Sequence, residues 1–466
     1  MFKNFKNNSN PAIYYDEKNF ISYEELSDFS NLIKKKINKN NLIIFLIDNS
    51  TESLMFYYGL INHDVCMLLL ESNTDQNNLE KFIKEYNPKY ILTSNQNKKV
   101  VKNYSIKDQI NNFLIYEYIQ KKINYDLNNN LKLLLTTSGT SGTPKCVKIS
   151  KKNLESNTIS IINYLNLTKK DKTITTLPPS YSYGLSILNT HFYVGGSIIA
   201  NSFSLYQKQF WELIDRNNIS NINGVPFFYE ILNKIGIKKI KGLKFLTQAG
   251  GNLEDKLFKD IINYLEKTKI NLFLMYGQTE ASPRISYCKI NKHNSKNFDK
   301  PSIGKAILGG KIFLKDENGL YIKKSYKKGE IIYEGSNIFC GYSKNFKDLY
   351  KLEKNKKLST GDIAYYDQNK NYFIVGRKNR IAKLYGVRYD LNEIEKDIKR
   401  QSGKLTICLN IKNKIIILSE KEIDIKRIDK IPPNCLILKK LNNFPRLTNG
   451  KVDMVKLNII IENEYK

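Results

Sequence analysis

Short apolar segments alternate with amphipathic, helix-like segments through about the first 370 residues, and this alternation limits the fold more than any other feature of the chain. The clearest apolar segments are residues 43–48, 89–94, 173–178, 196–201 and 243–251. Strands that alternate with helices predict a layered α/β fold with mostly parallel sheets. Because single hydrophobic cores stop growing near ~250–300 residues, a chain of 466 residues is expected to form at least two subdomains.

A polar loop rich in glycine and hydroxyl groups follows one apolar segment. Residues 137–145, TSGTSGTPK, contain two glycines, five serine or threonine hydroxyls and one lysine. Glycines let backbone N–H groups approach a phosphate, hydroxyls donate hydrogen bonds and lysine neutralises charge, so this composition predicts a nucleoside triphosphate ligand. An ordinary surface loop is the alternative. Pro144 before the lysine and Cys146 after it exclude a Walker A loop. The flanking segments 131–135 and 146–150 place the loop between two paired strands.

Four further motifs follow the loop in order along the chain. They are MYGQTEAS at residues 275–282, STGDIAYYD at 359–367, GRKNRIAKLYGVRYDLNEIE at 376–395 and PRLTNGKVD at 445–453. With these five motifs the chain resembles the acyl-adenylate-forming, or AMP-binding, superfamily, which includes acyl-CoA synthetases, carrier-protein ligases and the adenylation domains of peptide synthetases. Weaker similarity at residues 21–26 and 42–70 extends the resemblance to nearly the whole chain.

The resemblance implies a large layered N-terminal AMP-binding domain over residues 1–378 and a small, mobile α+β lid domain over residues 379–466. The sequence pattern changes near Gly376, which fits a boundary there. Asn379 stands where the family's hinge usually carries Asp or Lys, and asparagine adopts left-handed and bridge conformations easily. The lid segment contains one helical and two strand-like patterns, at residues 391–400, 405–411 and 414–418.

The resemblance also implies an ATP site. The residues that match the phosphate loop are Thr137, Ser138, Gly139, Thr140, Ser141, Gly142, Thr143 and Lys145. Tyr276 and Gly277 match the adenine side of the family's site, and Gly250 matches the loop that flanks it. Thr279 matches the contact to the α-phosphate. Glu280 matches the ligand of Mg²⁺, a hard cation that suits a carboxylate.

Two further groups complete the implied nucleotide site. Asp362 matches the acid that accepts both ribose hydroxyls, and Arg377 matches a ribose and phosphate contact beside the hinge. Lys451 matches the lysine that bridges the substrate carboxylate and the α-phosphate during adenylation. Because the reaction brings two anions together, cations and preorganised donors should carry the catalysis. The implied catalytic residues are Lys145, Thr279, Glu280 and Lys451.

The acyl and thiol pocket is implied to involve Tyr183, Gly184, Gly251 and Gly386. Gly386 matches the glycine that the rotated lid places beside the pantetheine tunnel, which favours a two-step ligase. Gly184 stands where amino-acid-activating members place an Asp that holds the α-ammonium group. Because burying an unpaired ammonium is costly, its absence favours a plain carboxylic acid of unspecified chain length.

The leading functional hypothesis is therefore an AMP-forming acid–thiol ligase that uses ATP and Mg²⁺. The carboxylic acid would become acyl-AMP with release of pyrophosphate, and a thiol would then take the acyl group. CoA and the phosphopantetheine of a carrier protein both remain open as the thiol. The alternatives are an amino-acid:carrier-protein ligase and a catalytically degenerate scaffold of the same fold.

The chain is strongly basic, with 67 lysines and 8 arginines against 45 acidic residues, for a net charge of +30. A coding bias towards lysine, asparagine and isoleucine explains this without any partner. The functional alternative is an acidic partner such as a carrier protein or the phosphates of CoA. Nucleic acid is not expected, because no recognised binding motif is present and arginine is scarce. The lysine-rich residues 351–357 are expected to form a solvated helix end.

The remaining composition predicts a cytoplasmic protein without a membrane span. No apolar run approaches the ~18 residues that cross a bilayer, and the first ten residues lack the apolar core of a signal peptide. The six cysteines are scattered without a CxxC pair, which argues against a zinc site and fits a reducing compartment.

Overall fold

The computed structural model describes residues 8–99, 101–119, 127–136, 145–236, 240, 242–384, 387–412, 414–423, 431, 433–446 and 452–465. The α-helices within them are α1 (Tyr23–Lys36), α2 (Thr51–Ile61), α3 (Gln76–Tyr86), α4 (Lys151–Leu165), α5 (Ser182–Val194), α6 (Lys208–Arg216), α7 (Pro226–Ile235), α8 (Asp255–Glu266), α9 (Leu391–Ser402) and α10 (Met454–Glu464). None of these helices has both the length and the apolar character that crossing a bilayer requires.

The strands up to residue 224 are β1 (Pro11–Tyr14), β2 (Phe20–Ser22), β3 (Leu42–Ile47), β4 (Cys66–Glu71), β5 (Tyr90–Ser94), β6 (Tyr104–Ile110), β7 (Phe113–Tyr118), β8 (Leu131–Thr136), β9 (Cys146–Ser150), β10 (Lys172–Ile174), β11 (Ser197–Ile199) and β12 (Asn221–Gly224). The later strands are β13 (Phe245–Gln248), β14 (Asn271–Gly277), β15 (Arg284–Ile290), β16 (Lys305–Ala306), β17 (Lys311–Lys315), β18 (Gly329–Glu334), β19 (Tyr342–Ser343), β20 (Leu358–Tyr366), β21 (Tyr372–Arg377), β22 (Ile381–Leu384), β23 (Val387–Asp390), β24 (Thr406–Ile411), β25 (Lys414–Ser419) and β26 (Leu436–Lys440).

The chain divides into two compact units. The first lies within Met1–Ile312 and Tyr333–Leu358, and the second within Phe313–Ile332 and Ser359–Lys466. The second unit thus takes in a segment from the middle of the sequence as well as the C-terminal region. The lid boundary at residues 378 and 379 concerns which part of the chain moves, and it stays a prediction.

A nine-stranded sheet organises much of the first unit, in the order β16-β15-β14-β13-β12-β10-β11-β1-β2. Its central pairs, from β14 to β1, are parallel, and the pairs at both edges are antiparallel. Alternate residues face opposite layers: Phe245 and Phe273 pack in a cluster with α4 and α5, whereas Leu246 and Leu272 pack with α6, α7 and α8. Helices therefore cover both faces, which confirms the predicted α/β architecture with a mostly parallel sheet.

An eight-stranded sheet completes the first unit, in the order β19-β9-β8-β4-β3-β5-β7-β6. Its centre, β8-β4-β3-β5, is parallel, and its other pairs are antiparallel. This sheet is mixed, so the prediction of parallel strands holds only for its central strands. The all-apolar strand β3 is buried along its whole length, as expected for a strand at the centre of a covered sheet.

The second unit holds most of a four-stranded sheet, β17-β18-β20-β21, together with the small sheets β22-β23 and β24-β25-β26. The helix and two strands that the sequence predicts near residues 391–418 are present as α9, β24 and β25. Strand β26, which runs parallel to β25, was not predicted. Side chains of α9 and α10 pack in separate apolar clusters that share these strands.

Two segments differ in whether their sequence supports a helix. Helix α1 begins with a capping box, in which the Ser22 hydroxyl accepts from the Glu25 N–H at 3.1 Å and the Glu25 carboxylate accepts from the Ser22 N–H at 2.7 Å. The helix end predicted at residues 351–357 is wrong, because this fully described segment is irregular. It holds four lysines and no apolar stripe, and a short helix needs an apolar face to pack.

Candidate functional site

The glycine- and hydroxyl-rich loop connects two strands that pair with each other. Strands β8 and β9 are antiparallel, with Thr136 opposite Cys146. The sequence predicted this placement of the loop between two paired strands. Residues Thr137, Ser138, Gly139, Thr140, Ser141, Gly142 and Thr143 lie outside the described residues. Lys145, the last residue of the loop, is described and half-buried, directly before β9.

Lys145 and Glu280 meet at the same tyrosine. The Lys145 ammonium nitrogen lies 3.5 Å from the centre of the Tyr342 ring, and the Tyr342 hydroxyl donates to the Glu280 carboxylate at 2.8 Å. Burial, together with the Glu280 charge, raises the pKa of the Tyr342 phenol above its usual range, so the hydroxyl keeps its proton. A cation, a hydrogen-bond donor and a carboxylate thus stand together, although they come from three distant parts of the sequence.

Strand β19 places Tyr342 by pairing with β9, in a register that sets Tyr342 opposite Val147. The backbone N–H of Phe339 donates to the Glu280 carbonyl at 2.8 Å and ties the two segments together. The sequence analysis missed Tyr342. Its setting, FCGYSKN, contains a turn glycine and the helix-capping Asn345, but neither signal marks Tyr342 itself among the 31 tyrosines of the chain.

The YGQTE segment forms a tight return at the end of β14. A β-carbon added at Gly277 would lie 1.9 Å from the Pro283 carbonyl oxygen, so only glycine fits there. A one-turn 3₁₀ helix, Thr279–Ala281, follows and presents Glu280, and the Thr279 hydroxyl lies 3.4 Å from the Ser182 hydroxyl. The Tyr276 side chain, matched to adenine stacking, is largely buried.

A second glycine pair follows β13. Gly250 has a φ of +85°, which is the left-handed region that favours glycine. The Gln248 side-chain amide donates to the Gly251 carbonyl at 2.7 Å and holds the loop. A β-carbon at Gly251 would approach the Pro226 ring at 3.1 Å, which leaves little room for a side chain.

Tyr183 lies in a buried polar network on α5. Its hydroxyl lies 2.7 Å from the Thr247 hydroxyl, which donates in turn to Asn223 at 2.6 Å. Burial raises the pKa of Tyr183 above its usual range. The neighbouring Gly184 packs against backbone, since an added β-carbon would lie 2.3 Å from the Pro178 carbonyl oxygen. Steric contact therefore explains this glycine without reference to any substrate.

Asp362 and Arg377 form an ion pair in the second unit. The two residues stand opposite each other on strands β20 and β21, and Arg377 Nε donates to Asp362 Oδ1 at 2.8 Å. The carboxylate is buried, whereas the guanidinium group is mostly exposed. The structure thus brings together the two residues that the sequence assigned to the ribose. Gly386 and Lys451 lie outside the described residues.

The sequence profile that describes AMP-binding enzymes matches residues 3–343, about three quarters of the chain. The chain belongs to this family of AMP-binding enzymes.

Relatives and solved structures agree with this assignment at low sequence identity. The chain is 23% identical to zwittermicin A synthase ZmaJ of Bacillus cereus, over 96% of this chain and 92% of that protein. It is 25% identical to a D-alanine–D-alanyl carrier protein ligase of Lactiplantibacillus plantarum, over 58% of this chain and 54% of that protein. The structure of o-succinylbenzoate CoA synthetase from Bacillus subtilis superposes with a TM-score of 0.74 at 19% identity, over 96% of this chain and 95% of that one. The chain thus spans only about half of the carrier-protein ligase, and the structural similarity establishes the fold.

Proposed function

We propose that the protein activates a carboxylic acid with ATP and then transfers the acyl group to a thiol. A carboxylate oxygen attacks the α-phosphorus of ATP, the bond to the β-phosphate breaks, and acyl-AMP and pyrophosphate form. A thiolate then attacks the acyl carbon and releases AMP. Membership of the AMP-binding family supports the first step. Relatives named as a carrier-protein ligase and a CoA synthetase support the second step and leave open whether the thiol is CoA or carrier-bound phosphopantetheine.

The observation that carries the proposal is the cluster of Lys145, Tyr342 and Glu280. The lysine neutralises phosphate charge beside the loop whose composition predicts triphosphate binding, and Thr279 next to Glu280 donates towards the α-phosphate. Mg²⁺ fits Glu280, because this cation is usually held by one or two carboxylates together with substrate phosphates and water. Bound there, the cation would neutralise the charge that develops on the leaving pyrophosphate.

The ribose and lid roles are part of the same proposal. Asp362 accepts both ribose hydroxyls, and Arg377 orients its carboxylate through the 2.8 Å hydrogen bond. Residues 379–466 act as the lid, Asn379 is the pivot, and Gly386 lines the path of the pantetheine. Lys451 bridges the substrate carboxylate and the α-phosphate in the adenylating position of the lid.

Pyrophosphate release with a panel of acids tests this function. The panel contains aliphatic mono- and dicarboxylic acids, aromatic acids, D-alanine and L-amino acids, with ATP and Mg²⁺. At least one acid should stimulate release, and Lys145→Met should lower that rate about 10²- to 10³-fold. If the protein binds ATP but no acid stimulates pyrophosphate release, it is instead a catalytically degenerate scaffold. Stimulation by amino acids alone would identify the amino-acid ligase.

Lys451 separates the two half-reactions. If it acts only in the adenylating position, Lys451→Ala should lose about 10²- to 10³-fold in acyl-AMP formation but keep thioester formation from supplied acyl-AMP. Single-turnover measurements of both steps check this. An equal loss in both steps contradicts a role of Lys451 in adenylation alone.

A further inference from the structure

One cation of the first unit is buried without an acidic partner. Arg284, the first residue of β15, is only 2% exposed and is the bulkiest of the fully buried side chains. No carboxylate among the described residues forms an ion pair with it. Its guanidinium group hydrogen-bonds the Tyr164 hydroxyl, but its Nε atom is buried without a hydrogen-bond partner. Because an arginine keeps its charge in proteins, this guanidinium group remains a buried cation.

The unpaired donors are concentrated at this point of the chain. Among the described residues, seven buried side-chain nitrogen or oxygen atoms lack a hydrogen-bond partner, and three belong to Ser282, Arg284 and Ser286. Buried polar groups are almost always satisfied, and exceptions that cluster indicate a missing partner. A buried charge without a partner is far more costly than a buried hydroxyl, so the partner should be an anion.

The surroundings of Arg284 are aromatic and neutral. Its guanidinium carbon lies 5.0 Å from the centre of the Tyr183 ring, and its charge also acts on the phenols of Tyr164 and Tyr181. Burial raises the pKa of Tyr164 to about 12 although the Arg284 charge opposes this, so the phenol stays neutral. The Tyr183 ring and the Tyr164 hydroxyl stabilise the cation but supply no counter-charge.

Backbone geometry connects this arginine to the candidate site. Strand register sets Arg284 opposite Gly277, and the register shifts between Tyr276 and Gly277. Such bulges re-aim a side chain and are common beside active sites. Arg284 thus follows the YGQTE turn by four residues and contacts Tyr183, the residue assigned to the acyl pocket.

Composition adds an independent indication. The chain has 67 lysines and only 8 arginines, so a lysine is the ordinary basic residue here. Arginine differs from lysine in offering a planar fork of donors that matches a carboxylate in a bidentate manner.

We propose that Arg284 binds a second anionic group of the carboxylic acid substrate, which makes the substrate a dicarboxylic acid. One carboxylate reacts with ATP, and the other stays ionised and pairs with the guanidinium group. This inference rests on the proposed adenylating function and narrows its substrate class. It disfavours α-amino acids that lack an acidic side chain, because their ammonium group would be buried near a like charge.

The test compares matched acids in the wild-type protein and in variants. The probes are the dicarboxylic acids from malonate to adipate, each paired with the monocarboxylic acid of the same carbon number. Pyrophosphate release gives kcat/KM, and the melting temperature with each acid, without ATP, gives binding independently of catalysis. The variants are Arg284→Met, Arg284→Lys and the control Arg216→Met, which removes an exposed arginine of the same unit.

One dicarboxylate should exceed its matched monocarboxylate by about 10- to 100-fold in kcat/KM, the usual contribution of a hydrogen-bonded charge. Arg284→Met should abolish this preference, so that kcat/KM with the dicarboxylate falls to the value for the matched monocarboxylate. Arg284→Lys should keep part of the preference, and Arg216→Met should keep all of it.

Each other outcome is decisive. Pyrophosphate release without a dicarboxylate preference, or equal losses for both acids in a folded Arg284→Met protein, overturns the inference and leaves the proposed function standing. Stabilisation by a dicarboxylate that depends on Arg284, without pyrophosphate release, supports the anion site and overturns the adenylating function. If no acid gives either stabilisation or pyrophosphate release, both the anion site and the adenylating function are overturned.

Discussion

At the scale of single residues, the structure adds a tyrosine to the site that the motifs outline. Tyr342 contacts Lys145 through its ring and Glu280 through its hydroxyl, so one side chain positions two groups of opposite charge. A ring face attracts a cation, and a phenol that keeps its proton can donate to a carboxylate. Substitution can remove the hydroxyl contact alone or both contacts together.

Tyr342→Phe keeps the ring and removes the hydroxyl that orients Glu280. We expect the apparent Mg²⁺ requirement of acyl-AMP formation to rise about tenfold, because hydrogen bonds to charged groups contribute about 1.5–3 kcal/mol and this residue is partly exposed. Tyr342→Leu should also raise the KM for ATP about two- to fivefold through loss of the Lys145 contact. Pyrophosphate exchange across a Mg²⁺ series measures both effects. An unchanged Mg²⁺ dependence in Tyr342→Phe contradicts the orienting role.

At the scale of secondary-structure elements, a buried lysine and a partly buried arginine hold helices in place. Lys132, the second residue of strand β8, donates to the carbonyl of Leu60 in the last turn of α2 and to those of His63 and Val65 just after it. The last carbonyls of a helix have no partner within the helix, so the ammonium group supplies one. Burial lowers the pKa of Lys132 to about 8.

This pKa predicts a pH dependence of stability. Below pH 8 the ammonium group is charged in the folded and the unfolded chain; between about 8 and its ordinary value of 10.5 only the unfolded chain holds the proton. The unfolding free energy should therefore gain about 1.4 kcal/mol per pH unit in this window from Lys132. Urea denaturation followed by the fluorescence of Trp211 should give a slope of unfolding free energy against pH that is about 1.4 kcal/mol per unit lower in Lys132→Met than in the exposed control Lys152→Met. Equal slopes in the two variants would contradict the lowered pKa of Lys132 in the folded chain.

In the second unit, Arg380 joins α9 to β24. It forms an ion pair with Glu395 on α9 and donates to the Cys408 carbonyl at 2.7 Å. Burial raises the pKa of Glu395, while the Arg380 charge lowers it. The arginine therefore stabilises the ionised form of a partly buried carboxylate next to the predicted hinge.

Removing this arginine should destabilise the second unit. Arg380→Met leaves the partly buried Glu395 carboxylate without its cation, and the expected loss of about 1–3 kcal/mol lies between those of exposed and fully buried pairs. The matched control is Lys378→Met, because Lys378 pairs with Glu330 but is two-thirds exposed, and exposed pairs contribute about 0–1 kcal/mol. Hydrogen-exchange protection of β24 measures the effect in this unit, since the single tryptophan lies in the other one. Equal losses of protection would show that burial of the pair is irrelevant.

At the scale of the whole molecule, the net charge of +30 is the dominant property. A charge of this size attracts acidic partners at long range and raises the rate of encounter. Carrier proteins of this kind are usually strongly acidic, whereas CoA presents only a few phosphates. Coding bias accounts for the charge without any partner; if the charge is functional, we propose that a carrier protein is at least as good an acceptor as free CoA.

Acyl transfer across a salt series distinguishes the acceptors. The Debye length falls from roughly 10 Å at 0.1 M salt to roughly 3 Å at 1 M, so transfer to a phosphopantetheinylated carrier should slow as salt increases. Transfer to CoA, measured in parallel, should respond less. Carrier transfer that is indifferent to salt, or slower than CoA transfer at every concentration, removes the electrostatic reason for preferring a carrier.

By itself, the sequence determined the fold class, the family and the order of the motifs. These properties depend on local signals: the alternation of apolar and amphipathic segments, and motif glycines such as Gly277 that tight backbone contacts require. Tyr342, Arg284 and Lys132 carried no such signal, because their roles arise from groups distant in sequence. Tertiary packing alone decided that a tyrosine joins Lys145 to Glu280, that a lysine inside a strand caps a helix, and that an arginine is buried without a counter-ion. Burial gives a charge its energetic weight, and burial is a property of the folded chain as a whole.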